Sequence, residues 1–282
     1  MAGGHWRGPV RRAALGLATA LGLRPRGFFV PYRHADAVAH TPYPATETLF
    51  GACEAEFSKI LDGIDGFERE LQAIPADAQA PAPRWNQDWF PRLDAAAAYA
   101  VVRTRRPRLV VEVGSGHSTR FLLRAAEDGG LNTRIVAIDP SPRAPFSSPR
   151  IEHVASPLER VDARIFERLG AGDILFIDSS HVLMPGTDVD ILFNRVLPNL
   201  PSGVVVHVHD IFLPDPYPES WRWRGYNEQT VLAALMHGGG YVPLFSSRYA
   251  ATRMEPRLAR SVVGRLPLPA GAYETSLWLE KP

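Results

Sequence analysis

The sequence predicts an α/β protein, doubly wound about a mostly parallel seven-stranded sheet with an antiparallel last strand and preceded by a helical extension. Three observations lead there. Beyond Pro107, short apolar runs alternate strictly with stretches of helical period, a pattern that belongs to parallel sheets with helices on both faces. The first run, 109–113, turns through Gly114-Ser115-Gly116 directly into a helix start. Asp139, Asp178 and Asp210 then close three later runs, placing acid at the carboxyl edge of the sheet, where open α/β folds bind ligands.

Taken from the start, the chain opens with a basic arm. Arg7, Arg11, Arg12, Arg24, Arg26 and Arg33 precede the first acid, Asp36. The apolar run 13–23 among them resembles the opening of a signal peptide, yet it is about half of the ~20 residues a membrane span requires. Arg24-Pro25-Arg26 closes it without a small-residue cleavage site. Two readings stand: a basic helix making peripheral contact with an anionic membrane surface through residues 1–30, or a poorly ordered basic tail. Residues 25–45, rich in proline and aromatics, complete this N-terminal segment, 1–45, as an irregular connector.

From Glu47 to about Ile74, apolar residues recur at three and four, a helical stripe. A second helix is predicted from about Asp88 to Arg103 after a loop holding Pro75, Pro81 and Pro83. Residues 46–106 therefore read as a helical cap, and 107–282 as the ligand-binding domain. Strands are predicted at 109–113, 134–138, 150–154, 173–177, 203–208, 241–246 and 274–280. Helices are predicted at 118–128, 157–169, 187–199 and 227–237. No helix is predicted between the last two strands, which suits an antiparallel final strand.

Bulk properties narrow the function. An apolar fraction of 45% with 22% charge is ordinary for a soluble globular chain. A net charge of +1 gives no global attraction to nucleic acid, and none is expected as a partner. The one cysteine excludes an internal disulfide and fits a reducing, cytoplasmic setting, with the inner membrane face as the variant the basic arm suggests.

The glycine turn carries the first chemistry. Gly114 and Gly116 allow close approach of a ligand to bare backbone, and the following helix, capped by Ser118, presents amides suited to a carboxylate or phosphate. Glu112 could accept from a ligand ammonium, and Asp139 could hold two ribose hydroxyls. The plainer reading is a turn that only packs helix on strand. A nicotinamide site would want a third glycine where this chain has Thr119.

The combination Val111-Glu112-Val113-Gly114-Ser115-Gly116-His117-Ser118-Thr119, Ile138-Asp139, 173–181 and 203–210 resembles class I S-adenosylmethionine-dependent methyltransferases, with their Rossmann-like fold. It is most similar to the bacterial branch of small-molecule and sugar O-methyltransferases, several of them metal-dependent. The resemblance covers roughly residues 107–282, and Gly27-Phe28-Phe29-Val30-Pro31-Tyr32 is also similar to the lead-in of bacterial members. It implies that Gly114 and Gly116 line the methionine part of the cofactor, that Asp139 holds its ribose, and that 155–158 falls beside adenine. With the reading of the turn, Glu112, Gly114, Ser115, Gly116, His117, Ser118, Asp139, Ser156 and Asp178 are the expected cofactor residues.

Asp178 and Asp210 close neighbouring strands with His181 and His209 beside them, and these four are the expected catalytic residues. The two aspartates could hold a hard divalent cation such as Mg²⁺, which would lower the pKa of a substrate hydroxyl. Alternatively, a histidine acts as general base. In the metal-dependent relatives the second acid is commonly followed by Asp or Asn; here Ile211 follows Asp210. His207, one pleat back from His209, is expected to pack inside, and Asp188 and Asp190 to cap the next helix.

The loop after Asp210 offers Tyr217, Trp221, Trp223 and Tyr226 as flat faces and Arg222 and Arg224 as cation donors. Tyr217, Trp221, Arg222, Tyr226 and Asn227 are the expected acceptor contacts; the aromatics could equally anchor the loop, and Asn227 could cap the next helix. The leading expectation is methyl transfer from S-adenosylmethionine to a hydroxyl of a sugar, glycolipid or other small molecule. A nicotinamide-dependent oxidoreductase and a catalytically inactive nucleoside-binding protein are the alternatives.

Overall fold

The computed structural model describes residues 7–24, 26–28 and 30–282. The side chains of Arg7, Arg11 and Arg12, on which the basic-helix reading partly rests, lie outside the described residues, as do residues 1–6, Pro25 and Phe29.

A first helix, α1 (Arg7–Ala20), carries largely exposed side chains where these are described. The single stripe expected over 47–74 is three helices: α2 (Pro44–Ala52), α3 (Glu54–Asp65) and α4 (Glu68–Gln72). Cys53 and Phe67, both outside helical ψ, break it while the apolar face continues. Helix α5 (Arg92–Arg105) starts later than its predicted Asp88. Gln87 Oε1 accepts the amides of Trp89 and Phe90 at 3.0 and 2.8 Å, so these residues form a loop instead of a first turn. The alanines at 95–98 are fully buried on α5, and their small side chains let this helix lie close against its neighbours.

The sheet then forms from β1 (Leu109–Val113), β2 (Arg134–Ile138), β3 (Ile151–Val154), β4 (Ile174–Ile177), β5 (Val205–Val208), β6 (Val242–Ser246) and β7 (Leu277–Glu280). Their spatial order is β3-β2-β1-β4-β5-β7-β6, with β7 antiparallel to both neighbours. This is the Rossmann-like arrangement and antiparallel last strand that the sequence predicts. Central strands β1, β4 and β5 are buried on both faces, as their β-branched composition requires. Phe50, Phe57, Leu61 and Ile64 of the N-terminal helices join the same apolar core.

Helices α6 (His117–Asp128), α7 (Asp188–Ile191), α8 (Glu228–His237), α9 (Ser247–Arg253) and α10 (Glu255–Arg260) complete the chain. The helix expected over 157–169 is instead two 3-10 pieces, Leu158–Arg160 and Ala163–Arg168. Asp162 splits them by taking the Arg164 amide onto its own side chain, a local bond that competes with helix continuation. The predicted 187–199 helix begins as α7, widens into a π-turn over Leu192–Val196 and ends in a 3-10 turn containing Pro198. Between β6 and β7 the structure adds α9 and α10, which the sequence reading did not expect; Ser246 caps α9 by accepting the Tyr249 amide.

Register decides where the chemistry sits. Val113 pairs with Ile138 on one side and Ile177 on the other, and Ile177 pairs with Val208. The next residues, Gly114, Asp139, Asp178 and His209, therefore stand in one row along the carboxyl edge.

Candidate active site

The row begins at the glycine turn. Gly114 has φ +80°, and a Cβ there would lie 1.9 Å from the Asp178 carbonyl oxygen, so only glycine lets the turn pass the end of β4. Ser115 donates its amide to Asp139 Oδ2 at 2.8 Å, and Ser141 donates to Oδ1 at 2.7 Å. Asp139 thus ties the turn to the end of β2 while remaining partly open.

Glu112 lies behind the turn and is fully buried. Its oxygens accept the hydroxyls of Ser118 and Thr119, each at 2.6 Å. Burial outweighs these donors and pushes its carboxyl up to about 8. Two expectations change here. Ser118 does not cap α6; Gly116 occupies the cap position and donates its amide to the Thr119 hydroxyl at 3.0 Å. Glu112 has both oxygens engaged by the protein, so it braces the turn from within. Thr119 is what a third glycine would forfeit, a hydroxyl that links Glu112 to the Gly116 amide. His117, in the first turn of α6, is half-buried with its Nδ1 unpartnered among the described residues. Burial, assisted by Arg120 and Arg84, pulls it down to about 4, leaving a neutral ring at neutral pH.

Four strand-end residues converge at the other end of the row. His181 Nε2 lies 3.2 Å from Asp178 Oδ1 and 3.4 Å from Asp210 Oδ2. His209 Nδ1 faces the same pair, 3.7 Å from Asp178 Oδ1 and 3.5 Å from Asp210 Oδ1. The sequence reading missed what stands behind each ring. His181 Nδ1 pairs with Glu228, and His209 Nε2 lies 3.3 Å from Asp94 Oδ2; both acids are fully buried. Asp94 also accepts the amides of Thr275 and Ser276, fixing α5 against the approach to β7. Two relays thus run from a buried carboxylate through an imidazole to the Asp178–Asp210 pair.

Electrostatics follow from that arrangement. Burial alone would neutralise both rings, but Glu228, Asp178 and Asp210 around His181 raise it well above the ordinary histidine value. Asp210, Asp178 and Asp94 do the same for His209. Burial also works against ionisation of Asp178, yet the two rings outweigh it and hold this carboxyl well below its usual range. His207 is fully buried, stacked on Phe176 with ring centroids 3.7 Å apart, and burial keeps it neutral, as its packed position requires. His181 and Asp210 both adopt positive φ, +61° and +56°, a backbone cost of order 1 kcal/mol each that clusters at functional sites.

Oxygen and nitrogen atoms of Asp178, His181 and Asp210 come within 4.8 Å of one another, a spacing that fits one bound cation. Two carboxylates plus an imidazole backed by a further carboxylate is a donor set suited to a divalent metal. Glu228 Oε2 is buried beside it without a partner among the described residues.

Above the aspartates opens a cleft of about 420 Å³, with Asp178, His209 and Asp210 in its lining. Its walls hold Trp89, Arg143, Trp221, Trp223, Arg224 and Tyr273. Of the expected acceptor contacts, Trp221 lines this cleft. Tyr226 sits against the His181 ring at 4.4 Å, and Tyr217 packs edge-on to Phe212 behind it. Arg222 points to Glu219 at 3.2 Å, and the neighbouring Arg224 takes the place in the wall. Asn227 neither caps α8 with its side chain nor lines the cleft; it accepts the Leu183 amide at 2.6 Å and steadies the loop that carries His181. Asp188 accepts the amide and hydroxyl of Ser180 in that loop, and Thr187 provides the α7 cap. Ser156 lies in a separate open hollow of about 500 Å³ beyond the end of β3.

Residues 111–211 match the family model described as a methyltransferase domain. No curated protein matches the chain. Among solved structures, the chain is similar to the SAH-bound Podospora anserina methyltransferase PaMTH1, at 16% identity over 91% of this chain and 99% of that one, with a TM-score of 0.40. It is similar also to the O-methyltransferase TomG from Streptomyces achromogenes, involved in tomaymycin synthesis and in complex with SAM, at 18% identity over 79% and 89%, TM-score 0.41. A third likeness is the MycE methyltransferase of mycinamycin biosynthesis in complex with Mg, SAH and mycinamycin VI, at 18% identity over 64% of this chain and 47% of that one, TM-score 0.38. The segment that matches the methyltransferase-domain model runs from within β1 to the residue after Asp210, and it holds the glycine turn, Asp139, Asp178 and Asp210.

Proposed function

We propose that the chain moves a methyl group from S-adenosylmethionine to a hydroxyl of a small molecule seated in the cleft above Asp178 and Asp210. The observation that carries this reading is the pair of strand-end aspartates in the cleft, each facing two imidazoles that buried carboxylates hold in place. The donor lies along the row: its methionine end on Gly114, Ser115 and Gly116 with His117 and Ser118 at the helix start, its ribose on Asp139, and its adenine toward Ser156. Asp178, between turn and cleft, borders both substrates.

The acceptor oxygen attacks the methyl carbon as the carbon–sulfur bond breaks, and S-adenosylhomocysteine leaves. Alignment of the two substrates supplies most of the acceleration. The hydroxyl proton passes to the Asp210 carboxylate, which His181 and His209 hold in position. A divalent cation bound by Asp178, Asp210 and His181 would lower the pKa of that hydroxyl. Trp221 forms the wall against which the acceptor rests, Tyr226 and Asn227 keep His181 in place, Tyr217 supports the loop, and Arg222 pairs with Glu219 within it.

Incubating the protein with cell extract and methyl-labelled S-adenosylmethionine, then identifying the labelled product by mass, tests this reading. An O-methylated small molecule whose formation falls on Asp210→Asn supports it; labelling of nitrogen, or undiminished labelling by the variant, contradicts it. Loss of labelling on exhaustive chelation, restored by Mg²⁺, assigns the cation, and full labelling after chelation removes it.

The N-terminal arm favours contact with an anionic membrane surface. Val10, Leu17, Leu21, Leu23, Phe28, Val30 and Tyr32 are all exposed, with exposed Arg24, Arg26 and Arg33 among them. No helix among the described residues is long and apolar enough to cross a membrane.

A further inference from the structure

The cleft walls carry two arginines, each laid on a tryptophan. The Arg143 guanidinium lies 4.3 Å from the ring centre of Trp89. In the lining of the same cleft, Arg224 lies 4.2 Å from the Trp221 ring and 5.3 Å from Trp223. Trp89 and Trp223 are 49% and 42% exposed, unusual for the largest apolar side chain. The units come from different segments, one from the approach to α5 and the loop after β2, the other from the loop after β5.

Neither arginine forms an ion pair among the described residues, although Asp88 shares the cleft lining with both. Arg224 spends one nitrogen on the Tyr226 hydroxyl at 3.0 Å and keeps its Nε buried without a partner. Stacking on an aromatic fixes the plane of a guanidinium while leaving its in-plane donors for an anion. A carboxylate or phosphate can take two such donors at once. Floor and walls therefore differ in sign: aspartates below, where the methyl-accepting hydroxyl must reach, and arginines on the walls.

We propose that the acceptor is a ring compound bearing a carboxylate or phosphate group, its ring lying on the tryptophans and its anion held by Arg224 and Arg143. This rests on the methyl-transfer reading of the same cleft. A volume of about 420 Å³ accommodates one substituted ring and is at the smaller end of small-molecule sites.

The test is a tryptophan-fluorescence titration of the full chain, saturated with S-adenosylhomocysteine, using benzoate and phenyl phosphate against the neutral benzamide and benzyl alcohol. At least one anion should saturate in the millimolar range, about 10-fold tighter than its neutral counterpart, and weaken as salt is raised. The tighter of the two anions distinguishes a carboxylate-bearing from a phosphate-bearing acceptor. Arg224→Gln and Arg143→Gln should each weaken it by roughly 5-fold, with S-adenosylhomocysteine affinity unchanged. Neutral probes binding as well as the anions, no saturation below about 50 mM, or indifference to both substitutions overturns the proposal. In those cases intact S-adenosylhomocysteine binding leaves the methyl-transfer reading standing; failure to bind that nucleoside at all removes both.

Discussion

Asp94 and Glu228 reach no solvent, yet each fixes a ring that faces the Asp178–Asp210 pair. Removing such a backing carboxylate typically costs 10–100-fold in activity, so Asp94→Asn and Glu228→Gln are each expected to lower kcat by about that factor. S-adenosylhomocysteine affinity should stay within about threefold, because the glycine turn proposed to hold it is untouched. Calorimetry beside the rate assay checks both halves. Glu112 gives a different readout. Its folded carboxyl titrates near 8, raised from the ordinary 4.5 by burial. The folded chain therefore keeps a proton that the unfolded chain releases, so this group's contribution to stability is complete below about 4.5 and is lost as pH rises through 8. Glu112→Gln abolishes that titration. Its melting temperature relative to the parent should climb between pH 5 and pH 8; a difference that stays flat over that range contradicts the assignment.

At the scale of elements, the turn between β1 and α6 is held by contact with the end of β4. Gly114→Ala would drive a methyl group to 1.9 Å from the Asp178 carbonyl at a φ of +80°. The expected cost is about 3 kcal/mol or more, since backbone lies on both sides of the clash. Thermal unfolding checks it, and an unchanged midpoint would mean the turn is not seated as described. The strands and this turn were legible in the sequence because alternation and glycine spacing are local signals. So were Asp178, His181, His209 and Asp210, each read from its place at or just beyond a strand end. Asp94 was hidden in a helix read as part of a cap, although a lone acid beside the buried alanines 95–98 is the mark of a polar group with a partner. Glu228 was hidden by its position, because an acid in a first helical turn already has a reason to be there. Arg143 and Trp89 come from segments distant in sequence, and only tertiary packing brings them to the same cleft. The 157–169 helix failed as a prediction because the Asp162 side chain competes with the backbone at its centre.

On the scale of the whole molecule, the segments before β1 complete one core with the sheet, set Asp94 behind His209 and bring Trp89 to the cleft. The arm in front of them presents exposed apolar side chains among arginines. Full-length protein is expected to co-sediment with anionic vesicles and to be released by salt, whereas protein lacking residues 1–30 should remain in the supernatant. Equal pelleting of the two forms would remove the membrane contact. The central claim concerns the row of Gly114, Asp139 and Asp178, and it is tested most directly by calorimetric titration with S-adenosylhomocysteine and, separately, with NAD. The account predicts one-to-one binding of S-adenosylhomocysteine with a Kd at or below about 100 µM, greatly weakened by Asp139→Ala, and no heat from NAD. Binding of NAD without S-adenosylhomocysteine would contradict it.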